Sequence, residues 1–330
     1  MATNINPVIY VDVLGTPYPT SQQLAQMNAY VSDLSSSGFQ TAILYHMHID
    51  AYGNFRSTNS QYPMIVDGTL QPGFAYLPGL IQSLTGDGSS IENVFFCLGG
   101  WGSEGDYVHA GHLLAQYPGL SNPLWRNFVA LQSIGISGID FDLEAGSPVP
   151  LSNPYGYYLP IVVQLTAMLA NLHIDVTYCP YTSPDFWMAC LASSYAQGVS
   201  QGSPVSWLNL QCYAGGAGNT QKQWVGYIND AQSAAQPEGL GISDATAFVV
   251  PGFGAASSKG STATCPQGSG GLQSLFSDSS LMMPGIAGGF VFTYAGILQN
   301  QQSGACAPTN TTADYASAIV NGIQSLSKSG

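Results

Sequence analysis

Three acidic residues, Asp140, Asp142 and Glu144, alternate with apolar ones within residues 137–144. Alternate side chains of a β-strand share one face, so the three carboxyls project together, about 6–7 Å apart along the strand. Burial and mutual repulsion prevent all three from ionising freely, so protons are shared and the pKa of the outermost carboxyl rises. A carboxyl with a raised pKa beside an ionised one suits general acid catalysis. We therefore predict that Glu144 donates a proton, supported by Asp142 and Asp140.

The strand that carries these acids is one of several, because strand-like and helix-like patterns alternate along the chain. Short apolar runs predict strands at residues 7–14, 40–48, 93–98, 138–144, 174–179, 206–213, 247–251 and 288–294. Helical patterns occupy residues 21–34, 124–132, 158–172, 221–235 and 312–326. This alternation predicts an α/β fold, a (β/α)8 TIM barrel, with residues 1–330 in one domain. A doubly wound open sheet is disfavoured because no Gly-x-Gly-x-x-Gly motif follows the first strand.

Long segments follow the second, third and seventh predicted strands, at residues 50–80, 99–123 and 252–271. Loops after barrel strands form the carboxyl-end face, where the active sites of barrel enzymes lie. In the first of these segments, residues 62–70 predict a small hairpin. An acidic strand with one solvated face, as in an antiparallel sheet, is the alternative explanation of residues 138–144. It is disfavoured because neither face of a parallel barrel strand meets water.

The charge balance restricts the partners. Five Lys and Arg residues stand against 18 Asp and Glu residues, a formal net charge of −13 that repels nucleic acid and anionic membranes. No apolar run approaches the roughly 20 residues that span a bilayer. The N-terminus has no signal-peptide pattern, yet the low charge content suits a secreted or extracellular protein that acts on neutral polymers. A cytoplasmic location is the alternative, and we expect a monomer.

Cysteines and histidines were considered as metal ligands. No pair of the six cysteines forms a Cys-x-x-Cys motif, and we predict neither a metal nor a cofactor. A Cys265–Cys306 disulfide between two late loops is one pairing, although the sequence leaves the connectivity open. His46, His48 and Asp50 alternate at the end of the second strand, where they either line the cleft or cap the strand. Another polar group is expected in a solvated loop, formed by Glu104, Asp106, His109 and His112.

The acidic strand resembles the signature of family 18 glycoside hydrolases, D-x-x-D-x-D-x-E at the end of the fourth strand. The resemblance implies that Glu144 protonates the glycosidic oxygen and that Asp142, sharing a proton with Asp140, orients the N-acetyl group of the substrate. The 2-acetamido oxygen would act as the nucleophile through an oxazolinium intermediate, so no carboxylate nucleophile is needed. It implies a retaining glycosidase that hydrolyses β-linked N-acetylglucosamine in chitin or chitooligosaccharides.

Weaker features of the family extend the resemblance to other strands. Its third strand usually ends in S-x-G-G, and here Cys97 precedes Gly99, Gly100 and Trp101. The Q-x-Y form of its sixth strand is matched by Gln211 and Tyr213, which implies that Tyr213 contacts the acetamido group. The resemblance and the strand positions give a candidate substrate-binding set: Gln211, Trp101, Gly100, Tyr10, His46 and Tyr294.

Three positions depart from the family pattern. Ser137 replaces the first acid, Cys97 replaces a serine, and Thr293 stands where the eighth strand usually supplies a tryptophan under the sugar. Two alternatives therefore stay open. One is an endo-β-N-acetylglucosaminidase acting on N-glycans, and the other is a catalytically silent barrel of the lectin, inhibitor or toxin type. Glu144, the residue that silent relatives commonly lose, is present and favours turnover.

Overall fold

The computed structural model describes residues 5–58, 60–144, 154–197, 202–214, 219–235, 239–255, 264–306 and 309–329. Its parallel strands follow one another in chain order, and the first strand pairs with both the second and the eighth, so the sheet closes into a barrel. This confirms the predicted (β/α)8 fold. The barrel strands are Asn6–Val11, Thr41–Ile49, Asn93–Trp101, Gly138–Glu144, Asp175–Tyr178, Trp207–Gln211, Val249–Gly254 and Gly288–Phe292.

Helices surround the barrel, and local signals explain where several begin. Thr20 caps the first helix in a capping box, because its side chain accepts from the Gln23 N–H while the Gln23 side chain accepts from the Thr20 N–H. The helices within the described ranges are Ser21–Ser35, Leu77–Leu84, Glu104–Gln116, Pro123–Ser133, Pro154–Asn171, Pro184–Ala196, Gln221–Ala234, Ala245–Phe248, Leu272–Ser277, Tyr294–Ser303 and Thr312–Ser329. The expectation of a loop at residues 104–112 is wrong, because these residues form most of the helix Glu104–Gln116.

The segment after the second strand forms a small antiparallel extension of the barrel sheet. Its strands are Phe55–Ser57, Pro63–Val66 and Thr69–Leu70, which confirms the predicted hairpin. Asp67 and Gly68 form its turn with φ of 47° and 78°, the left-handed pair that a tight hairpin requires. The Gly68 N–H donates to Asn127 on the helix Pro123–Ser133, which fixes the hairpin to the barrel wall.

An apolar cluster fills the barrel interior below the acidic face. Two strand glycines make room for it: a Cβ at Gly252 would lie 2.1 Å from the Phe290 ring, and one at Gly138 would lie 2.4 Å from the Phe95 ring. The barrel is therefore a packed core at this level, and Asp142 and Glu144 lie toward its carboxyl end. The buried members of the cluster are Val8, Tyr10, Ile43, Phe95, Cys97, Cys179, Val250 and Phe290.

A disulfide joins Cys265 to Cys306, which is the pairing that the sequence analysis named while leaving the connectivity open. The bond ties the region after the seventh strand to the region after the eighth. Part of the predicted long loop there, residues 256–263, lies outside the described residues. Among the described helices, none is long and apolar enough to cross a membrane.

Candidate functional site

Asp140 lies at the bottom of the candidate site, fully buried in the barrel interior. Burial raises the pKa of its carboxyl, and donated hydrogen bonds oppose that rise. Three side chains from other strands donate to it: the Tyr10 hydroxyl at 2.7 Å, the Thr177 hydroxyl at 2.6 Å and the Asn209 amide at 2.9 Å. Because these donors come from the first, fifth and sixth strands, Asp140 joins opposite sides of the barrel.

Asp142 and Glu144 form a coupled pair above Asp140. The Gln211 amide nitrogen bridges them, 3.0 Å from Asp142 Oδ1 and 3.2 Å from Glu144 Oε1. Burial raises the pKa of Asp142 well above its ordinary value, and the charges of Glu144 and Asp140 raise it further. Burial also raises the pKa of Glu144, against the hydrogen bonds from Gln211 and Asp142, and the charge of Glu104 adds to the rise. The pair therefore keeps a shared proton at a pH where isolated carboxyls would have lost theirs.

Two glycines at the end of the third strand let the backbone approach this pair. A Cβ at Gly99 would lie 2.2 Å from the Asp142 carbonyl oxygen, and one at Gly100 would lie 2.7 Å from the Tyr45 hydroxyl. Both residues have positive φ, 112° and 101°, which glycine adopts without steric cost. Gly100 is buried, so it shapes the site while the next residue, Trp101, is 74% exposed. Trp101 pairs in register with Glu144 on the neighbouring strand, which puts a free indole beside the candidate acid.

Aromatic rings form the other wall of the site. Tyr213, which is 37% exposed, stacks on Phe292 with ring centroids 5.3 Å apart and planes 18° from parallel. Tyr45 meets the same Phe292 ring edge-on at 5.2 Å. Burial raises the pKa of both phenols, and the charges of Asp142 and Glu144 raise each further, so both hydroxyls stay protonated and can donate. Tyr213 thus lies near the acids, as its predicted role requires.

Tyr45 and Phe292 are functional candidates that the sequence reasoning missed. Both follow the strand alternation of a residue that lines the barrel interior, Tyr45 two positions after Ile43 and Phe292 two positions after Phe290. That alternation was the signal that could have identified them. Phe292 contacts the rings of both Tyr45 and Tyr213, and it directly precedes Thr293, which replaces the tryptophan of the family pattern.

Two of the predicted substrate contacts are corrected by the structure. Tyr10 is 1% exposed and packs against Phe290 and Phe292, so its hydroxyl serves Asp140 and cannot reach a sugar. Tyr294 is equally buried and faces the outer helices, where its hydroxyl donates to Asp33 at 2.9 Å. The eighth strand ends at Phe292, and Tyr294 begins the next helix, which turns its side chain away from the acids.

The histidines at the end of the second strand divide between two environments. The His46 ring contacts the Tyr45 ring and the His48 ring, and burial, then the charge of His48, lowers the pKa of His46 to about 4. His46 is therefore neutral near pH 7 and lies at the Tyr45 edge of the site. His48 pairs with Asp106 at 2.8 Å.

The predicted neighbour of these histidines, Asp50, is engaged elsewhere. It accepts hydrogen bonds from the Arg56 guanidinium and the Asn54 amide, which hold the turn of the inserted segment. Within the described ranges, no group of three or more His, Cys, Asp and Glu side chains is arranged to hold a metal ion.

The three departures from the family pattern each have a local structural role. The Ser137 hydroxyl donates to the Val94 carbonyl at 3.2 Å. Thr293 caps the helix Tyr294–Ser303 and donates to Asp12 at 2.8 Å. The Cys97 sulfur lies 3.9 Å from Asp142 Oδ2, a weak contact because a thiol is a weak hydrogen-bond donor.

Comparison with known proteins finds similar folds at low sequence identity. No family model matches the chain, and no curated protein matches its sequence. A GH18 chitinase from Pseudoalteromonas aurantia is similar in structure, with 13% identity and a TM-score of 0.55 over 96% of this chain and 99% of that one. The GH18 chitinase ChiB from the chitin utilization locus of Flavobacterium johnsoniae gives 10% identity and a TM-score of 0.56 over 98% and 94%. A family GH18 chitinase from Chromobacterium violaceum has 12% identity and a TM-score of 0.56, over 96% of this chain and 84% of that one.

Proposed function

We propose that the protein is a chitinase-like glycosidase that hydrolyses β-linked N-acetylglucosamine in chitin or chitooligosaccharides. The observation that carries the proposal is the Asp142–Glu144 pair, bridged by one Gln211 amide at the carboxyl end of a barrel. The raised pKa of Glu144 suits a general acid. The fold shared with GH18 chitinases over most of the chain supports the same class of reaction.

The proposed reaction uses each site residue at a stated atom. Glu144 protonates the glycosidic oxygen while the acetamido oxygen of the substrate attacks the anomeric carbon, so the configuration is retained. Asp142, hydrogen-bonded to Gln211, would accept from the acetamido N–H and stabilise the positive charge of the oxazolinium intermediate. The Tyr213 hydroxyl would donate to the acetamido oxygen. Glu144, now ionised, would then take a proton from the water that opens the ring.

Two features support the proposed setting. The formal charge of −13 favours a neutral polymer over an anionic one. The Cys265–Cys306 disulfide is typical of oxidising compartments, so we propose a secreted or extracellular location. No residue of the proposed chemistry requires a cofactor.

The decisive experiment replaces Glu144 by Gln, which removes the proton and keeps the shape. We expect hydrolysis of a chitooligosaccharide to fall by at least about 100-fold, the usual contribution of a general acid. Glu92→Gln is the matched control, because Glu92 is exposed and lies at the opposite end of the barrel strands. Thermal melts of both variants would show whether folding is retained, and an unchanged rate in Glu144→Gln would refute the assignment.

A second candidate, sugar binding without turnover, is favoured by one observation: Cys97 supplies only a weak contact to Asp142 where the family has a serine. Incubation with a chitooligosaccharide and with a high-mannose glycopeptide separates the candidates. Cleavage of the first supports the chitinase proposal, and cleavage of the glycopeptide alone supports an endo-β-N-acetylglucosaminidase. Binding of either sugar without cleavage supports the silent barrel.

A further inference from the structure

Asn219 is a buried residue, 6% exposed, whose side chain contacts the backbone just after the fifth strand and at the end of the sixth. Its amide nitrogen lies 2.8 Å from the Gln211 carbonyl oxygen, 3.0 Å from that of Tyr181 and 3.1 Å from that of Ala214. Its amide oxygen accepts from the Trp224 indole N–H at 2.6 Å. The nitrogen and the oxygen of this side chain therefore both have partners, with two N–H groups shared among three carbonyls.

The partners of Asn219 fix which end of its amide faces which group. A carbonyl oxygen can only accept, so the NH2 group must face the three carbonyls, and an indole N–H can only donate, so Oδ1 must face Trp224. An amide turned by half a rotation would set acceptor against acceptor and donor against donor. Trp224 is 1% exposed and belongs to the helix Gln221–Ala234, so the protein interior, and not solvent, sets this orientation.

Two of the three carbonyls belong to the turn that carries Tyr213. Residues 211–214 form this turn, which is closed by the Ala214 N–H donating to the Gln211 carbonyl at 3.1 Å. Asn219 bonds both the first and the last carbonyl of the turn, and Tyr213 lies between them. The backbone conformation that directs the Tyr213 ring is therefore held by one side chain outside the turn.

Gln211 connects this turn to the acids. Its backbone N–H donates to the Pro180 carbonyl at 3.0 Å and its carbonyl accepts from Asn219 at 2.8 Å, so the residue is fixed on both sides. Its side-chain amide then bridges Asp142 at 3.0 Å and Glu144 at 3.2 Å. The bond to Glu144 is at the long end of the range for such bonds, so a small movement of the Gln211 backbone would break it.

We propose that Asn219 is a positioning residue for the proposed hydrolysis, because it holds the backbone of Gln211 and Tyr213 in the geometry that the reaction needs. The inference rests on the proposed function for the reaction that it serves. The same amide also bonds Tyr181, so it ties the segment after the fifth strand to the turn after the sixth. Without the amide, three carbonyls would lose a donor, and the turn would relax toward other partners. The groups displaced would be the bridging amide of Gln211 and the hydroxyl of Tyr213.

The test replaces Asn219 by Ala, which removes the amide and adds no charge near the acids. We expect kcat for a chitooligosaccharide to fall about 10–100-fold, as for reacting groups displaced by up to about 1 Å, with a smaller change in KM. The alkaline limb of the profile of kcat/KM against pH should move up, because a Gln211 amide that is held less closely stabilises the ionised form of Glu144 less.

Asn122→Ala is the matched control, because Asn122 is also a buried amide and donates to two carbonyls, those of Leu113 and Tyr117, at the start of the helix Pro123–Ser133. It should lower the melting temperature and leave kcat and the alkaline limb in place. Asn219→Ser keeps one short donor, so it should change kcat and the limb in the same direction by less, and it decides the test if Asn219→Ala does not fold. In a Gln211→Met background, Asn219→Ala should move the limb no further, because the bond through which it acts is already lost.

The outcomes separate this inference from the proposed function. A folded Asn219→Ala or Asn219→Ser variant with the kcat and the alkaline limb of the unsubstituted protein would overturn the positioning role. A limb that moves equally with and without Gln211 would overturn it too. Carbon-13 titration of the carboxyl groups reports on the same bond without turnover. If the unsubstituted protein hydrolyses no chitooligosaccharide but Asn219→Ala raises the pKa of Glu144, the proposed hydrolysis fails and the positioning of Gln211 stands.

Discussion

Gln211 donates hydrogen bonds to both Asp142 and Glu144, so its replacement should move the pH dependence of the proposed hydrolysis. Its amide nitrogen donates to both carboxylates, and donation to a carboxylate favours the ionised form. Gln211→Met keeps most of the volume and removes both hydrogen bonds. The ionised forms lose stabilisation, so the pKa of each carboxyl rises and Glu144 keeps its proton to a higher pH.

The size of the effect follows from the two distances. A hydrogen bond to a charged acceptor contributes about 1.5–3 kcal/mol, and one pKa unit corresponds to about 1.4 kcal/mol. The bond to Glu144, at 3.2 Å, is at the long end of the range for such bonds, so the lower figure applies. We therefore expect the alkaline limb of the profile of kcat/KM against pH to move up by about one unit.

The assay is hydrolysis of a chitooligosaccharide from pH 3 to pH 9, and a carbon-13 titration of the carboxyl groups gives the same pKa values without turnover. Gln221→Met is the matched control, because Gln221 is also a buried glutamine but bonds the Thr246 carbonyl and the Met283 N–H, away from the acids. It should lower stability and leave the limb in place. An alkaline limb that stays fixed or moves down in Gln211→Met would refute the assigned role.

Two further perturbations test the electrostatics and the covalent link. The raised pKa of Asp142 makes the folded state bind more protons than the unfolded state, so the contribution of this group to stability is present below its ordinary pKa and is lost as the pH rises through the folded value. The free energy of unfolding of Asp142→Asn, measured by urea titration, should therefore rise by at least about 1 kcal/mol relative to that of the unsubstituted protein as the pH goes from 4 to 8. A stability difference that stays constant over this pH range would contradict the prediction. The Cys265–Cys306 bond closes a loop with a sequence separation of 41, so Cys306→Ser should lower the free energy of unfolding by about 3–4 kcal/mol. Reductant should not change the free energy of unfolding of the double Cys265→Ser, Cys306→Ser variant. If reductant also leaves the stability of the unsubstituted protein unchanged, the result would argue against the disulfide.

The barrel could be predicted from the sequence because buried parallel strands and amphipathic helices leave distinct periods. The fourth strand, Gly138–Glu144, has the predicted bounds. The eighth strand ends two residues earlier than predicted, since Thr293 caps the following helix and its apolar neighbour Tyr294 belongs to that helix. Polarity alone does not separate the last residue of a strand from the first residue of a helix.

The helix Glu104–Gln116 was missed for a different reason. Its two glycines, Gly105 and Gly111, and its histidines interrupt the apolar pattern that identifies a helix. The structure explains Gly111, because a Cβ there would lie 2.6 Å from the Ile161 side chain of the neighbouring helix. A residue selected for close packing between helices thus looks, in the sequence, like a residue of a loop.

The candidate site was predictable where its chemistry lies on one strand and hidden where it depends on register between strands. The acids share a face by local alternation, which the sequence shows. The contacts of Phe292 with Tyr45 and Tyr213 require three strands to be aligned, and the depth of Tyr10 depends on rings from the eighth strand. Residue type at a strand end therefore identified candidates but did not separate those facing the cleft from those beneath it.

The hydrogen bonds of Asp140 show how the acidic strand is arranged with a serine in place of the first acid of the family pattern. Three donors surround its carboxylate, and they favour its ionised form against the effect of burial. Asp142 accepts one hydrogen bond from the Gln211 amide, while burial and the repulsion of two neighbouring carboxylates raise its pKa well above the ordinary value. The mobile proton is therefore held on the Asp142–Glu144 pair, where the proposed reaction needs its general acid. Ser137 precedes Asp140 by three residues and bonds the Val94 carbonyl, so a charge at that position would act on Asp140 before it acted on the Asp142–Glu144 pair.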